Sequence, residues 1–191
     1  MVTERDRIAL DFITQFKMVT PKQVAQVAYN DNIKITYNRL NRLHRDKLIY
    51  KTANKINKGF IYSSERIRTL KQYLHNYYRT EFYLRLMEIS SVNTQHTEVE
   101  KTRGSIRPDL LVTGVYGYEQ YFFSVEVETN ANHSSIDYDK YNNFFLSEWR
   151  KHFTIKPVVI YLTDKSINPD KIKFEYKHLR TDLSNFNDIF H

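Results

Sequence analysis

The sequence contains no cysteine, and only 4 glycines and 4 prolines occur among its 191 residues. Without cysteine the chain cannot form a disulfide, bind zinc through thiolates or use a thiol as a nucleophile. Its longest apolar runs, such as residues 158–162, are far too short to cross a bilayer. The start, Met-Val-Thr-Glu-Arg-Asp, does not look like a signal peptide. We therefore expect a cytoplasmic protein with no membrane partner.

Two common catalytic motifs are also missing. The sequence has neither a glycine-rich phosphate loop nor a His-Glu-x-x-His motif, so nothing in it favours nucleotide hydrolysis or zinc proteolysis. Hydrophobic residues nevertheless make up 41% of the chain and aromatic residues 15%, which excludes a disordered or collagen-like chain. A length of 191 residues allows one large domain or two small ones.

Charge is distributed unevenly along the chain. Residues 1–80 carry 16 Lys and Arg against 6 Asp and Glu, a net charge of +10, whereas residues 81–191 carry 13 against 16. A basic section at the front indicates a polyanionic partner such as nucleic acid. The acidic section behind it indicates a metal site or an ordinary solvated surface.

The first 63 residues predict three helices followed by a hairpin. Capping signals at Thr3 and Thr20 predict helices over residues 3–17 and 21–29, and a third helix is expected from Thr36. The third helix should turn Tyr37, Leu40, Leu43 and His44 inward and leave a polar and basic outer face. Residues 48–52 and 59–62 predict two strands around a lysine-bearing tip.

This arrangement resembles the winged helix-turn-helix family over residues 3–63. The resemblance implies that the third helix enters the major groove of duplex DNA and that the hairpin, the wing, touches the backbone. Arg suits guanine and Asn suits adenine, so Asn38, Asn41 and Arg42 are the candidate base readers. The candidate phosphate contacts are Arg39, Arg45, Lys51, Lys55 and Lys58.

The rest of the chain predicts an α/β sandwich around a mixed sheet, which makes residues 64–191 a second domain after a first domain of residues 1–63. A long helix, residues 64–88, should link the two. The expected elements that follow are strand 106–112, a turn at 114–117, strand 121–129, helix 136–152, strand 157–162 and strand 172–176.

Three carboxylates are placed together by strand geometry. Glu126 and Glu128 alternate with valines, so they should share one face of a strand at about 7 Å. Asp109 belongs to the neighbouring strand. If the register aligns them, Asp109, Glu126 and the Val127 carbonyl form an oxygen cage suited to Mg²⁺ or Mn²⁺, which could activate water against a phosphodiester.

The same stretch resembles the PD-(D/E)xK nuclease superfamily, with Pro108-Asp109 as its first signature and Glu126-Val127-Glu128 in place of acid-x-lysine. The resemblance implies that Glu81, on the long helix, is an additional metal ligand. Glu128 replaces the usual lysine, and Lys140 on the next helix is the candidate to supply the missing ammonium. The order of the two domains resembles the replication-relaxation family of plasmids and mobile elements.

Three functional hypotheses remain open. The first is a non-enzymatic duplex-DNA-binding protein of a plasmid, phage or integrative element, acting in replication, transfer or transcription control, with a degenerate nuclease-like domain used for dimerisation or docking. The second is a Mg²⁺- or Mn²⁺-dependent endonuclease that uses Asp109, Glu126, Glu128 and Lys140. The third is a protein whose rear domain binds another protein, such as a replication or transfer protein. The replaced lysine favours the first, in which no cofactor is required.

Overall fold

The computed structural model describes residues 1–54, 58–67, 72–129 and 136–190. It shows a mixed α and β protein, as expected, with one two-stranded and one five-stranded sheet. The chain divides into two compact units, Met1–Leu84 and Arg85–His191. The division lies further along the chain than residue 63. Within the described ranges, no helix has both the length and the apolar character needed to cross a membrane.

The first unit begins with three short helices, each started by a side-chain cap. Both predicted capping boxes are present, between Thr3 and Asp6 and between Thr20 and Gln23. The third helix starts three residues earlier than predicted, because Asn32 Oδ1 accepts a hydrogen bond of 3.0 Å from the Ile35 amide and so acts as the N-cap. The helices are α1 (Glu4–Phe16), α2 (Pro21–Ala28) and α3 (Ile33–Arg45).

The predicted hairpin follows as β1 (Tyr50–Asn54) and β2 (Gly59–Ser63), which pair antiparallel with Lys51 opposite Tyr62. The next helix, α4, is Tyr73–Met87. Its predicted start near Ser63 is wrong, because Ser63 ends β2 and its hydroxyl donates a hydrogen bond of 2.6 Å to the Glu65 carbonyl in a non-helical segment. Residues 68–71 of that prediction lie outside the described residues.

The buried stripe of α3 is formed by Thr36, Leu40 and Leu43, at helical spacing. The prediction that Tyr37 and His44 point inward is wrong, since both are exposed. The register follows from Thr36, whose hydroxyl donates to the Asn32 carbonyl at 2.8 Å and fits the interior without leaving a polar group unpaired.

A buried carboxylate connects the three helices. Asp6 is fully buried, and its Oδ1 accepts hydrogen bonds from Tyr29 Oη at 2.8 Å and from Arg39 Nε at 2.9 Å. A second Arg39 nitrogen and both donors of Thr3 reach Oδ2. Burial raises the pKa of Asp6, but the hydrogen bonds from Arg39, Thr3 and Tyr29 outweigh burial and hold the pKa well below its usual range.

The second unit is built on a five-stranded sheet in sequence order. Its first three strands are antiparallel, and β5, β6 and β7 are parallel. The first strand was not predicted, because its polar, half-exposed sequence lacks apolar alternation. The strands are β3 (Val92–Val99), β4 (Leu110–Tyr116), β5 (Glu119–Glu128), β6 (Val158–Thr163) and β7 (Tyr176–Leu179).

Several predicted boundaries in this unit are wrong. Gly114 lies within β4, and the turn consists of Gly117 and Tyr118, with Gly117 at a φ of 60° that favours glycine. The expected strand at residues 172–176 forms later, as β7. The single helix predicted over residues 136–152 is shorter and divided into α5 (Asp139–Ser147) and α6 (Trp149–His152).

An aromatic cluster covers the face of the sheet on which Glu126 lies. Tyr141, Phe144 and Phe145 of α5 pack with Val159 and Tyr161 of β6. Burial of these large apolar rings is the main stabilising contribution on this face. It also removes the polar side chains beneath α5 from water, so each of them needs a partner inside the protein.

The Asp6 network gives a stability prediction. Replacing Arg39 with Met leaves the buried Asp6 without its cation and should lower the free energy of unfolding by about 2 kcal/mol or more. Arg42→Met is the matched control, since Arg42 forms only an exposed pair with Asp46 at 3.8 Å, and its cost should stay below about 0.5 kcal/mol. Urea unfolding monitored by circular dichroism measures both.

The same measurement has an expected pH dependence. Because folding lowers the pKa of Asp6, its stabilisation is complete above an ordinary carboxyl pKa of about 4 and is lost as pH falls towards the folded-state value. The stability gap between the wild type and Arg39→Met should therefore narrow in acid. Equal costs for the two arginine variants at pH 7 would contradict the assigned role of Arg39.

Candidate nucleic-acid interface and acidic site

The outer face of α3 carries the candidate base readers. Asn38 and Arg45 are exposed, and neither has a hydrogen-bond partner among the described residues. Arg42 is partly exposed. These side chains lie away from Leu40 and Leu43, which face the core. The helix thus combines one buried apolar face with one open face of amide and guanidinium groups.

Arg39 has a different place from the other candidates. Its guanidinium bonds Asp6, and its side chain is only 23% exposed. A guanidinium held in a buried ion pair is not available to a phosphate without losing that pair. The structure therefore gives Arg39 a position inside the first unit rather than on the open face of α3.

Asn41 and Lys51 meet where α3 contacts the hairpin. Lys51 Nζ donates to Asn41 Oδ1 at 2.8 Å, and Tyr62 Oη donates to the same oxygen at 3.3 Å. The Lys51 ammonium also lies 3.8 Å from the centre of the Phe60 ring, a cation–π contact. The sequence analysis missed Phe60 and Tyr62 as members of this cluster, although alternation along β2 could have placed Tyr62 on the α3 side.

The tip of the hairpin is only partly described. Lys58 is exposed beside it. Lys55 lies outside the described residues, so its predicted phosphate contact stays a prediction. With Lys51 and Lys58, the hairpin adds ammonium groups to the face that α3 presents.

The acidic site of the second unit is centred on Glu126. Its carboxylate is almost fully buried and uses both oxygens: Oε2 accepts from Lys140 Nζ at 3.0 Å, and Oε1 accepts from Tyr141 Oη at 2.5 Å. Ser124 Oγ lies 2.9 Å from the same tyrosine hydroxyl. The structure thus brings the ammonium of Lys140 to the carboxylate, in the position that the missing nuclease lysine would require.

Asp109 lies on the segment that leads into β4, next to β5. Its Oδ2 accepts a hydrogen bond of 2.7 Å from the Val127 amide, and its own amide donates to the Val125 carbonyl at 3.0 Å. These two bonds extend the β4–β5 ladder and fix the carboxylate near Glu126. The register that the sequence analysis required for Asp109 and Glu126 is therefore present.

Burial raises the pKa of Glu126 to about 7, and the nearby Asp109 carboxylate raises it further, while Lys140 and Tyr141 act in the opposite direction. Burial is the largest cause. Burial and the Glu126 charge also raise the pKa of the Tyr141 hydroxyl well above its usual value, so Tyr141 remains a donor.

The remaining predicted acids are placed differently. Glu128 Oε2 accepts from Lys165 Nζ at 3.2 Å, an ion pair that the sequence gave no signal for. Glu81 belongs to the first unit, where its Oε1 accepts from Gln23 Nε2 at 2.8 Å. Its proposed role as a metal ligand stays a prediction.

The donor set of Glu126 does not suit a divalent ion as it stands. Both oxygens already accept strong donors, and the ammonium of Lys140 supplies the positive charge that a cation would bring. Across the ranges that the structure describes, no three carboxylate or imidazole side chains form a group that could hold a metal. A cation would have to displace Lys140 before it could bind.

One buried group near Glu126 has no partner. The Tyr161 hydroxyl, which lies on the residue directly opposite Glu126 in the β5–β6 register, makes no hydrogen bond with any described residue. Sequence reasoning missed Tyr141, Ser124 and Tyr161 because aromatic residues at helix and strand spacing are expected to be core. Here they are core residues that also line a carboxylate.

Comparison with known proteins identifies no family. No protein-family model, no curated protein and no solved structure matches the chain. Its functional interpretation therefore rests on residues and geometry.

The raised pKa of Glu126 predicts how stability changes with pH. The folded chain keeps a proton that the unfolded chain loses near pH 4.5, so the stabilisation is greatest below that pH and falls as pH rises towards 7. Glu126→Gln removes this titration. Urea unfolding should show that the wild type loses about 2 kcal/mol relative to Glu126→Gln between pH 5 and pH 8.

Lys140→Met is the companion variant. Removing the ammonium removes an interaction that lowers the pKa of Glu126, so the loss of stability should move to higher pH. Parallel pH profiles for the wild type and Glu126→Gln would show that Glu126 does not titrate in this range.

Proposed function

We propose that the protein binds duplex DNA through its first unit, a winged helix-turn-helix in which α3 is the recognition helix and the β1–β2 hairpin is the wing. The observation that carries this proposal is the open face of α3. It presents Asn38, Arg42 and Arg45 outward while Leu40 and Leu43 anchor the helix in the core. A helix so anchored can enter a major groove without exposing its apolar side.

The charge of this part of the chain supports the proposal. Residues 1–80 hold 16 Lys and Arg against 6 Asp and Glu. Internal pairs neutralise few of the basic groups on the open face, and Arg45 and Lys58 are exposed. Such groups attract a polyanion and release its counterions on binding.

For the second unit we propose a degenerate PD-(D/E)xK-like domain that serves for dimerisation or for docking a replication or transfer protein. Its mixed sheet and the placement of Asp109 and Glu126 on neighbouring segments support the relation. The internal partners of Glu126 and Glu128 support the loss of activity. With the first unit, this makes a protein of the replication-relaxation type, acting for a plasmid, phage or integrative element.

A second candidate function is a metal-dependent endonuclease. One observation favours it: Lys140 Nζ lies 3.0 Å from Glu126 Oε2, so an ammonium is available to the site although Glu128 replaces the usual lysine. Asp109 and Glu126 would hold the Mg²⁺ or Mn²⁺, which supplies a Lewis acid and an activated water when bound. The bound state of Glu126 makes this the weaker of the two candidates.

DNA binding is tested by its dependence on salt. Fluorescence anisotropy with a labelled duplex should give a log–log slope of about −4 to −7, as expected for five to eight neutralised phosphates at ~0.9 per contact. Lys58→Ala should reduce the magnitude of the slope by about 1, while Lys173→Ala, an exposed lysine of the second unit, should leave the slope unchanged. No measurable binding at low salt would overturn the proposal.

The nuclease alternative is tested by incubating supercoiled plasmid with the protein and Mn²⁺. We expect no nicking beyond that of Asp109→Ala/Glu126→Ala, because Lys140 and Tyr141 occupy the Glu126 oxygens. Nicking that disappears in Glu126→Ala would establish the enzyme instead. Its loss in Lys140→Ala as well would identify Lys140 as the substitute lysine.

A further inference from the structure

The amide of Asn41 has a fixed orientation. An ammonium group has hydrogens to donate and no lone pair to accept with, so the Asn41 atom 2.8 Å from Lys51 Nζ must be the carbonyl oxygen. Tyr62, whose hydroxyl reaches the same oxygen at 3.3 Å, is then also a donor. The chemistry of lysine settles which end of the amide faces the hairpin.

The two donors come from one rigid element. Lys51 and Tyr62 are direct cross-strand partners in the β1–β2 hairpin. The Phe60 ring beneath the ammonium restricts Lys51 further. Tyr62 is fully buried, and burial raises the pKa of its hydroxyl to about 12, which keeps it protonated. The hairpin thus holds the Asn41 amide in one orientation before any ligand arrives.

A carbonyl oxygen has two lone pairs, and Lys51 and Tyr62 account for both. The amino group of Asn41 makes no hydrogen bond with any described residue. Asn41 therefore retains two N–H donors and no acceptor. An adenine-reading asparagine needs both ends of its amide, because it donates to N7 and accepts from N6–H.

We propose that Asn41 reads a hydrogen-bond acceptor in the major groove, guanine before any other base, and that the β1–β2 hairpin sets this specificity through Lys51 and Tyr62. This inference rests on the proposed DNA-binding function of α3. Guanine offers two adjacent acceptors, O6 and N7, whereas adenine would oppose its N6–H₂ donor to the amide, and cytosine offers only a donor.

Asn38 provides an internal comparison. It lies three residues before Asn41, near the same helical face, and it is exposed with no partner among the described residues. Both ends of its amide are available. The two asparagines of α3 should thus read different bases, adenine at Asn38 and guanine at Asn41. The sequence analysis, which assigned adenine to both, could not separate them because the difference lies in the hairpin contacts.

The test is selection of binding sites from a randomised duplex library with the full chain, followed by affinity measurements on the selected duplex. The base position that loses its preference in Asn41→Ala should be guanine in the wild type, and replacing that G·C pair with A·T should weaken binding roughly ten-fold. In Lys51→Met/Tyr62→Phe the freed oxygen restores the fork, so the preference should move to adenine. The measurement is the ratio between two duplexes, which is insensitive to a lost phosphate contact at Lys51.

Asn41→Asp covers the case in which the double variant does not fold. Aspartate keeps the contacts with Lys51 and Tyr62 but has no N–H, so the preference should move from guanine to a base that donates, cytosine or adenine. Adenine selected at the Asn41 position by the wild type would overturn the inference while leaving DNA binding intact. So would sites that Asn41→Ala does not alter. Absence of duplex binding at low salt would instead overturn the proposed function, and the inference with it.

Discussion

The buried Asp6 carboxylate is the constraint on which the first unit depends. It caps α1, accepts the hydroxyl of Tyr29 at the end of α2 and pairs with Arg39 from α3. One oxygen pair therefore fixes three helices with respect to one another. Because Arg39 is committed inward, the helical face defined by Asn38 and Arg42 must point outward. The orientation of α3, and with it the proposed recognition of DNA, follows from an interaction that touches no DNA.

The second unit applies the same requirement to a different purpose. Glu126 is buried beneath α5, and a buried charge is stable only with partners. Lys140 and Tyr141, adjacent on α5, supply them. In a nuclease of the resembled type these oxygens would face a metal ion and its waters. Here the protein's own cation and hydroxyl satisfy them, which explains how an acidic constellation can persist as a structural element.

Local signals allowed much of this structure to be predicted. The capping boxes at Thr3 and Thr20 gave two helices within a residue or two, and alternation around Glu126 gave its face and its neighbour Asp109. The predictions failed where a contact distant in sequence decides. Nothing local distinguishes Arg39 from Arg42, because their difference is Asp6, 33 residues away from Arg39. The polar strand β3 was missed for a related reason, since only its pairing with β4 makes it a strand.

The most direct test of the account is the NMR spectrum of the ¹⁵N-labelled chain during titration with a duplex. The account predicts that chemical shift changes concentrate in the amides of α3 and of the β1–β2 hairpin, with Asn38 and Arg42 among the most affected. The Arg39 amide should change less than theirs, because its side chain stays on Asp6. Changes confined to residues 85–190, or spread without regard to α3, would contradict it.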